Sequence, residues 1–254
     1  SNTATQNITV NAQPTVTLGN FTAVCIDNGL VALTTGLPTP GNYSGTGVSG
    51  TNFNPIAATA GTHTITYKHT DGNSCTDSVS KTIRVNALPS VSLGALSSVC
   101  VNASAVALSG GSPTGGTYSG TGVNSTTGIF SPTTAGIGTH KITYTYGDAN
   151  GCTDTASQMI TVNGLPTVTL SALSAVCAGA PAFSLSGGSP VGGTYSGTGV
   201  NSTTGIFTPL SATAGTYTIT YSYTDGNSCS NTATQNITVN AQPTVTLGNF
   251  TAVC

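Results

Sequence analysis

Charge is what this chain has least of. Its 254 residues include six Asp, no Glu, three Lys and one Arg, so 4% of side chains are charged, against about 25% in a typical globular protein. Four scattered basic residues make no patch for phosphates and no cluster for an anionic lipid surface, which argues against nucleic-acid binding and electrostatic membrane attachment. With Glu absent, a paired-carboxylate site would need two of six scattered Asp, and no Gly-x-Ser-x-Gly elbow occurs. The Gly-Thr-Gly of Gly45 and Gly47 is followed by neither a helical pattern nor a third glycine, so it is no dinucleotide motif. The expectation is a non-enzymatic chain with no catalytic, cofactor-binding or metal residues and no cofactor.

Other absences narrow the class further. Trp is missing, and no apolar run approaches the ~18 residues of a membrane span, so no direct membrane insertion is expected in this segment. Ser1 does not open a secretion signal; the parent protein's export signal and anchor are expected elsewhere. No stretch carries a sustained i, i+3, i+4 apolar pattern, whereas β-branched Thr and Val dominate every periodic segment.

What the chain does have is repetition. Residues 1–25 recur letter for letter as residues 230–254, 229 positions downstream, and residues 115–130 (GGTYSGTGVNSTTGIF) recur as 192–207 at an offset of 77. The cysteines keep the same beat, with Cys25, Cys100, Cys177 and Cys254 in one series and Cys75, Cys152 and Cys229 in the other. Self-similarity at a fixed period decides architecture before any single residue does. The expected organisation is residues 1–12 as the last strand of a preceding repeat, then repeats at 13–87, 88–164 and 165–241. Residues 242–254 would then be the first strand of a following repeat.

Within the third repeat, residues 166–170 and 182–185 alternate apolar with hydroxyl side chains and read as strands. Residues 194–196 and 204–209 read as two more, the last ended by Pro209. Residues 216–224 put Tyr217, Ile219, Tyr221 and Tyr223 on one face over nine positions, and Asp225-Gly-Asn-Ser turns the chain into a final strand at 231–239. Several short strands in about 75 residues predict an all-β fold of tandem immunoglobulin-like β-sandwich repeats, about 75–77 residues each, arranged end to end. Proline-bearing linkers at residues 86–89, 163–166 and 240–243 are short, so neighbouring repeats should touch.

The runs GGTYSGTGVNSTTGIFSP (115–132), AGIGTHKITYTYGDANGC (135–152) and TDTASQMITVNGLP (153–166) resemble the PKD-like and Ig-like repeats of giant surface adhesins of the Bacteroidota. Gliding-motility adhesins exported by the type IX system belong to that family. The resemblance covers all three repeats and implies an extracellular, stalk- or filament-forming part of an adhesin. Asp77-Ser-Val and Asp154-Thr-Ala are similar to the Asp-Ser/Thr-apolar O-glycosylation signal of that phylum, which makes Ser78 and Thr155 candidate modification sites.

Two cysteines per repeat imply an oxidising, extracellular compartment, and the absence of metal-site spacings favours disulfides over a metal. Three pairings fit the spacing. The preferred one closes each repeat on itself through Cys25–Cys75, Cys100–Cys152 and Cys177–Cys229, leaving Cys254 unpaired in this stretch. A second joins successive repeats through Cys25–Cys152 and Cys100–Cys229. A third uses the 25-residue spacing, Cys75–Cys100, Cys152–Cys177 and Cys229–Cys254.

The remaining candidates each carry a bland alternative. His63 and His140 take the slot of Tyr217, and His69 takes that of Tyr223, so a tolerated aromatic position competes with a pH- or metal-sensitive face. Asp71, Asp148 and Asp225 supply one carboxylate per turn, which suits turn chemistry better than calcium. Tyr43, Tyr118 and Tyr195 are candidate surface-contact residues for stacking on a sugar, with packing as the rival reading. The whole predicts a semi-rigid, disulfide-stabilised stalk or filament on the cell surface, with neighbouring copies of the repeat as partners. Two alternatives are a multivalent array binding glycans or solid surfaces by avidity, and a fibre or sheath formed by lateral self-association.

Overall fold

The computed structural model describes residues 1 and 3–248. Apart from two four-residue helices and one 3-10 turn, its regular elements are strands. The fold is all-β, a tandem series of immunoglobulin-like sandwiches. The chain forms two compact units, one of Ser1–Gly94, Ser109–Ser119 and Thr143–Gln158, the other of Ala95–Leu108, Gly120–Ile142 and Met159–Cys254. The second repeat therefore contributes to both.

In the first unit, a four-stranded sheet runs in the order Val24–Cys25, Thr76–Asn86, Gly61–Thr70, Asn42–Ser44. Its centre is a hairpin paired from Gly61↔Val85 to Thr70↔Thr76. Period-2 alternation puts Ile65, Tyr67, Ile83 and Val85 inward, all at most 2% exposed, while Thr62, Thr64 and Thr82 face solvent. A three-stranded sheet of Val31–Ala32, Asn52–Phe53 and Val48–Ser49 covers them, and Leu33, Phe53 and Ala58 complete the core. The helix Pro55–Ala58 turns the chain between the sheets: Asn54 Oδ1 accepts from the Ile56 and Ala57 N–H groups, and Pro55 needs no donor at the first helical position.

The second unit builds the same plan from the third repeat. Val176–Cys177, Ser230–Asn240, Gly215–Thr224 and Thr194–Ser196 form the larger sheet, and Phe183–Ser184, Ile206–Phe207 and Val200–Asn201 the smaller. Leu170, Leu185, Phe207, Ile219, Tyr221, Ile237 and Val239 are its buried core. The expected strands at 216–224 and 231–239 are both present, each with one more residue at its start, and Pro209 begins the 3-10 turn.

Identical sequence has two fates. Ile237 and Val239 on Ser230–Asn240 are each 1% exposed, whereas Ile8 and Val10, in the same sequence context, are 90% and 88% exposed. Residues 3–11 form no strand because no strand lies alongside them among the described residues. Val16 and Leu18 are buried in turn, while their copies Val245 and Leu247 are 85% and 84% exposed. The strand is a property of the ladder and the apolar face it covers, with local propensity too weak to fold it alone.

Glycine is obligatory where the tyrosine of the central strand packs. A Cβ on Gly188 would lie 2.6 Å from Tyr221 ring carbons, whereas one on Gly226 would meet nothing within 4 Å. Gly188→Ala is expected to cost about 1–3 kcal/mol through overpacking, and Gly226→Ala less than ~0.5 kcal/mol. Denaturant unfolding of the two variants checks the contrast.

Candidate functional site

The cysteines are positioned by two local devices. The first is the hairpin turn. Asp71 Oδ1 accepts from the N–H groups of Asn73 (2.9 Å) and Cys75 (2.8 Å). Asp148 does the same for Asn150 and Cys152 (both 2.9 Å), and Asp225 for Asn227 and Cys229 (both 2.9 Å). The residue before each cysteine lies in the left-handed region, as Ser74 (φ 63), Gly151 (φ 80) and Ser228 (φ 63). One carboxylate thus braces each turn and holds its cysteine at the start of the last strand.

The second device is an edge strand of two residues. Val24–Cys25 pairs in parallel with the end of the last strand, Cys25 opposite Asn86. Cys100 lies opposite Asn163 and Cys177 opposite Asn240 in the same register. Each repeat therefore carries one cysteine at the start and one at the end of an eleven-residue strand. Ten steps of ~3.3 Å place them about 33 Å apart.

That separation overturns the preferred within-repeat pairing, Cys25–Cys75, Cys100–Cys152 and Cys177–Cys229, since a disulfide spans at most about 7 Å between Cα atoms. The bonds formed are Cys25–Cys152 and Cys100–Cys229, each with Cα atoms 5.5 Å apart. The end of one repeat is joined to the hairpin of the next. The hairpin sulfurs are fully covered, Cys152 at 1% and Cys229 at 0% exposure, while Cys25 and Cys100 are half-buried. Cys75 is half-buried, Cys177 is exposed, and neither has a sulfur partner among the described residues. Cys254 lies outside the described residues.

In comparisons with known proteins, no protein-family model and no curated protein matches the chain. Solved structures do. A Ca2+-stabilised adhesin that helps an Antarctic bacterium bind ice is similar over 92% of this chain and 77% of its own, at 15% identity and a TM-score of 0.40. A 1.5-MDa bacterial ice-binding adhesin is similar over 91% and 98%, at 14% identity and 0.36. Immunoglobulin domains 1–5 of Sidekick-1 are similar over 88% and 59%, at 12% identity and 0.25.

The other candidate residues are tied into the sandwiches. Tyr43, Tyr118 and Tyr195 are half-buried, and their hydroxyls accept from the N–H groups of Gly36 (2.7 Å), Gly111 (3.0 Å) and Gly188 (2.9 Å). Each ring tilts at 47° over a buried neighbour, Tyr67, Tyr144 or Tyr221, with centroids 4.7–4.8 Å apart. Those neighbours donate to the carbonyls of Pro38 (2.7 Å), Pro113 (2.5 Å) and Pro190 (2.5 Å). This geometry is packing. His63 Nε2 lies 2.8 Å from the Thr59 carbonyl and His140 Nε2 2.9 Å from that of Gly136, the bond that the Tyr217 hydroxyl makes to Thr213 at 2.6 Å. His69 Nδ1 lies 2.7 Å from the Pro40 carbonyl. Imidazole and phenol are interchangeable there because each can donate to a carbonyl. Ser78 and Thr155 are exposed on the last strands, with Asp77 and Asp154 accepting their N–H groups at 2.8 Å and 2.7 Å.

The turn carboxylate of the second repeat is held below the ordinary aspartate value of 3.8, first by the Asn150 side-chain amide and then by the Cys152 N–H. A depressed folded-state pKa gives stability that is present above the unfolded value and lost as pH falls through the folded one. The stability gap between wild type and Asp148→Ala is therefore expected to be open at neutral pH and to close at about pH 2. Urea unfolding at both pH values measures it.

Proposed function

We propose that this chain is a non-enzymatic structural segment of an extracellular bacterial adhesin, a stalk in which each repeat is covalently braced to the next. The carrying observation is the pair Cys25–Cys152 and Cys100–Cys229, which crosses repeat boundaries. A within-repeat bridge would stabilise a bead and leave the joint free. A bridge across the boundary leaves fold and joint inseparable, so bending must distort a closed covalent ring. Disulfides further favour an oxidising compartment, and the near-absence of charge leaves solubility to hydroxyls and amides.

The motif runs around Tyr118, His140 and Asp154 support a repeat of the PKD-like type found in Bacteroidota adhesins, with export by the type IX route. The avidity reading has less to stand on, because Tyr43, Tyr118 and Tyr195 have their hydroxyls and one ring face committed to packing. Single-molecule stretching of the oxidised chain and of its Cys→Ser variants tests the stalk reading. Lengthening that is strongly non-additive between the two bridges supports bracing, and independent equal increments overturn it.

A further inference from the structure

Cys75 and Cys177 stand in positions that are bonded elsewhere in the same molecule. Cys75 closes the Asp71 turn as Cys152 and Cys229 close theirs, and Cys177 lies opposite Asn240 as Cys25 and Cys100 lie opposite Asn86 and Asn163. They differ from those counterparts only in cover. Bonded hairpin cysteines are at most 1% exposed, yet Cys75 is half-buried; bonded edge-strand cysteines are half-buried, yet Cys177 is exposed. Each has the exposure of a junction half whose other half is missing.

We infer that the Cys177 end and the Cys75 end are the two complementary halves of one further junction, and that the partner is a second copy of this chain. Cys177 of one copy bonds to Cys75 of the next. The inference rests on the stalk reading and extends it from braced repeats to braced chains. Two observations point to a second copy. The interface is continuous with one the molecule already makes twice, Cys25 to Cys152 and Cys100 to Cys229. Its two halves also sit on the same chain, so the contact is head-to-tail and does not close on itself, and such contacts propagate as filaments. The segments flanking the two ends, residues 3–13 and 241–248, are exposed and outside every ladder. They can give way without disturbing a core.

The chemistry is an oxidation. Two S–H bonds break and one S–S bond forms, with two protons and two electrons passing to a disulfide-containing oxidant that leaves as two thiols. Thiolate attack on that oxidant gives a mixed disulfide, and the second thiolate resolves it.

The test uses the full chain carrying Cys254→Ser, purified reduced and reoxidised with a glutathione redox buffer at rising protein concentration. Non-reducing electrophoresis is expected to show a ladder of multimers, and peptide mapping to place the link at Cys177–Cys75. Cys75→Ser and Cys177→Ser should each abolish the ladder, and mixing the two variants should give a dimer and nothing larger. A monomer at every concentration, or links of Cys75 to Cys75 or Cys177 to Cys177, would overturn the inference. The same map separates the two readings. Cys25–Cys152 and Cys100–Cys229 present without a ladder removes only the chain-to-chain junction, whereas their replacement by within-repeat links removes the stalk.

Discussion

Pulled from its two ends, the fully oxidised chain is expected to stop extending at about 350 Å, against roughly 890 Å for the reduced chain at ~3.5 Å per residue. The two bridges enclose overlapping stretches, 25–152 and 100–229. The shortest covalent route therefore enters at Cys25, crosses to Cys152, runs back along the second repeat to Cys100 and crosses to Cys229. Only about 100 residues lie on it, hence the shorter limit. Opening either bridge alone leaves the other to shield its own stretch of 127 or 129 residues, so each single loss adds only about 80 Å. Opening both adds about 530 Å. Separate loops of about 50 residues inside each repeat would behave otherwise, adding ~175 Å per loop lost. Optical-trap extension of Cys25→Ser, Cys229→Ser and the double variant, each with Cys75, Cys177 and Cys254 replaced by Ser, distinguishes the patterns. Equal, additive steps would exclude overlapping bridges.

Overlap has a consequence for how load is shared. The second repeat lies inside both enclosed stretches, and its residues 100–152 carry tension in the sense opposite to the rest of the chain. A break in one bridge passes force to the other without releasing a whole repeat. For an element that spaces an adhesive tip from a cell, that is a useful property. It depends on strand direction: the hairpin cysteine precedes the last strand, and the edge-strand cysteine sits where that strand ends.

Strand direction is also where the sequence stopped being readable. The hairpin of Gly215–Thr224 and Ser230–Asn240 was legible because nine alternating positions carry Tyr217, Ile219, Tyr221 and Tyr223, and because Asp225-Gly-Asn-Ser is a turn by its own chemistry. The interchange of His63 and His140 with Tyr217 was legible as a tolerated aromatic slot, and the hydrogen bonds to carbonyls four residues back explain the tolerance. Val176–Cys177, Gly188–Ser189 and Val200–Asn201 were not legible, since a ladder of two residues has no period to detect. Val176–Cys177 matters most of these, because its parallel pairing sends the cysteine to the far end of the strand from the hairpin. One signal was available for the bridging pattern. The last strand is long, it begins at one cysteine and it leads into the linker, so any partner near the linker lies a strand's length away. The two fates of the duplicated sequence mark the same boundary between local and tertiary information.

Loss of the Cys100–Cys229 bridge is expected to destabilise the second unit by about 2–5 kcal/mol, while Cys177→Ser, at an exposed and unbonded position, should cost less than ~0.5 kcal/mol. The bridge closes 129 residues, and the entropy removed from the unfolded chain grows with the logarithm of that length, to nearly 5 kcal/mol for a loop on the order of 100 residues. Cys229 adds a local cost, because it is 0% exposed and a serine there would bring a hydroxyl into covered space. Cys100→Ala with Cys229→Ala avoids that term, so the double alanine variant reports the bridge and the serine variant reports bridge plus burial. In calorimetry a loss of this size lowers the melting temperature by roughly 5–15 °C for a unit of this length. A double alanine variant that melts with wild type would mean the joint is held by side-chain packing, with the disulfide a passive addition. A variant that melts with the reduced wild-type protein would place the stability of the braced joint in the bond itself.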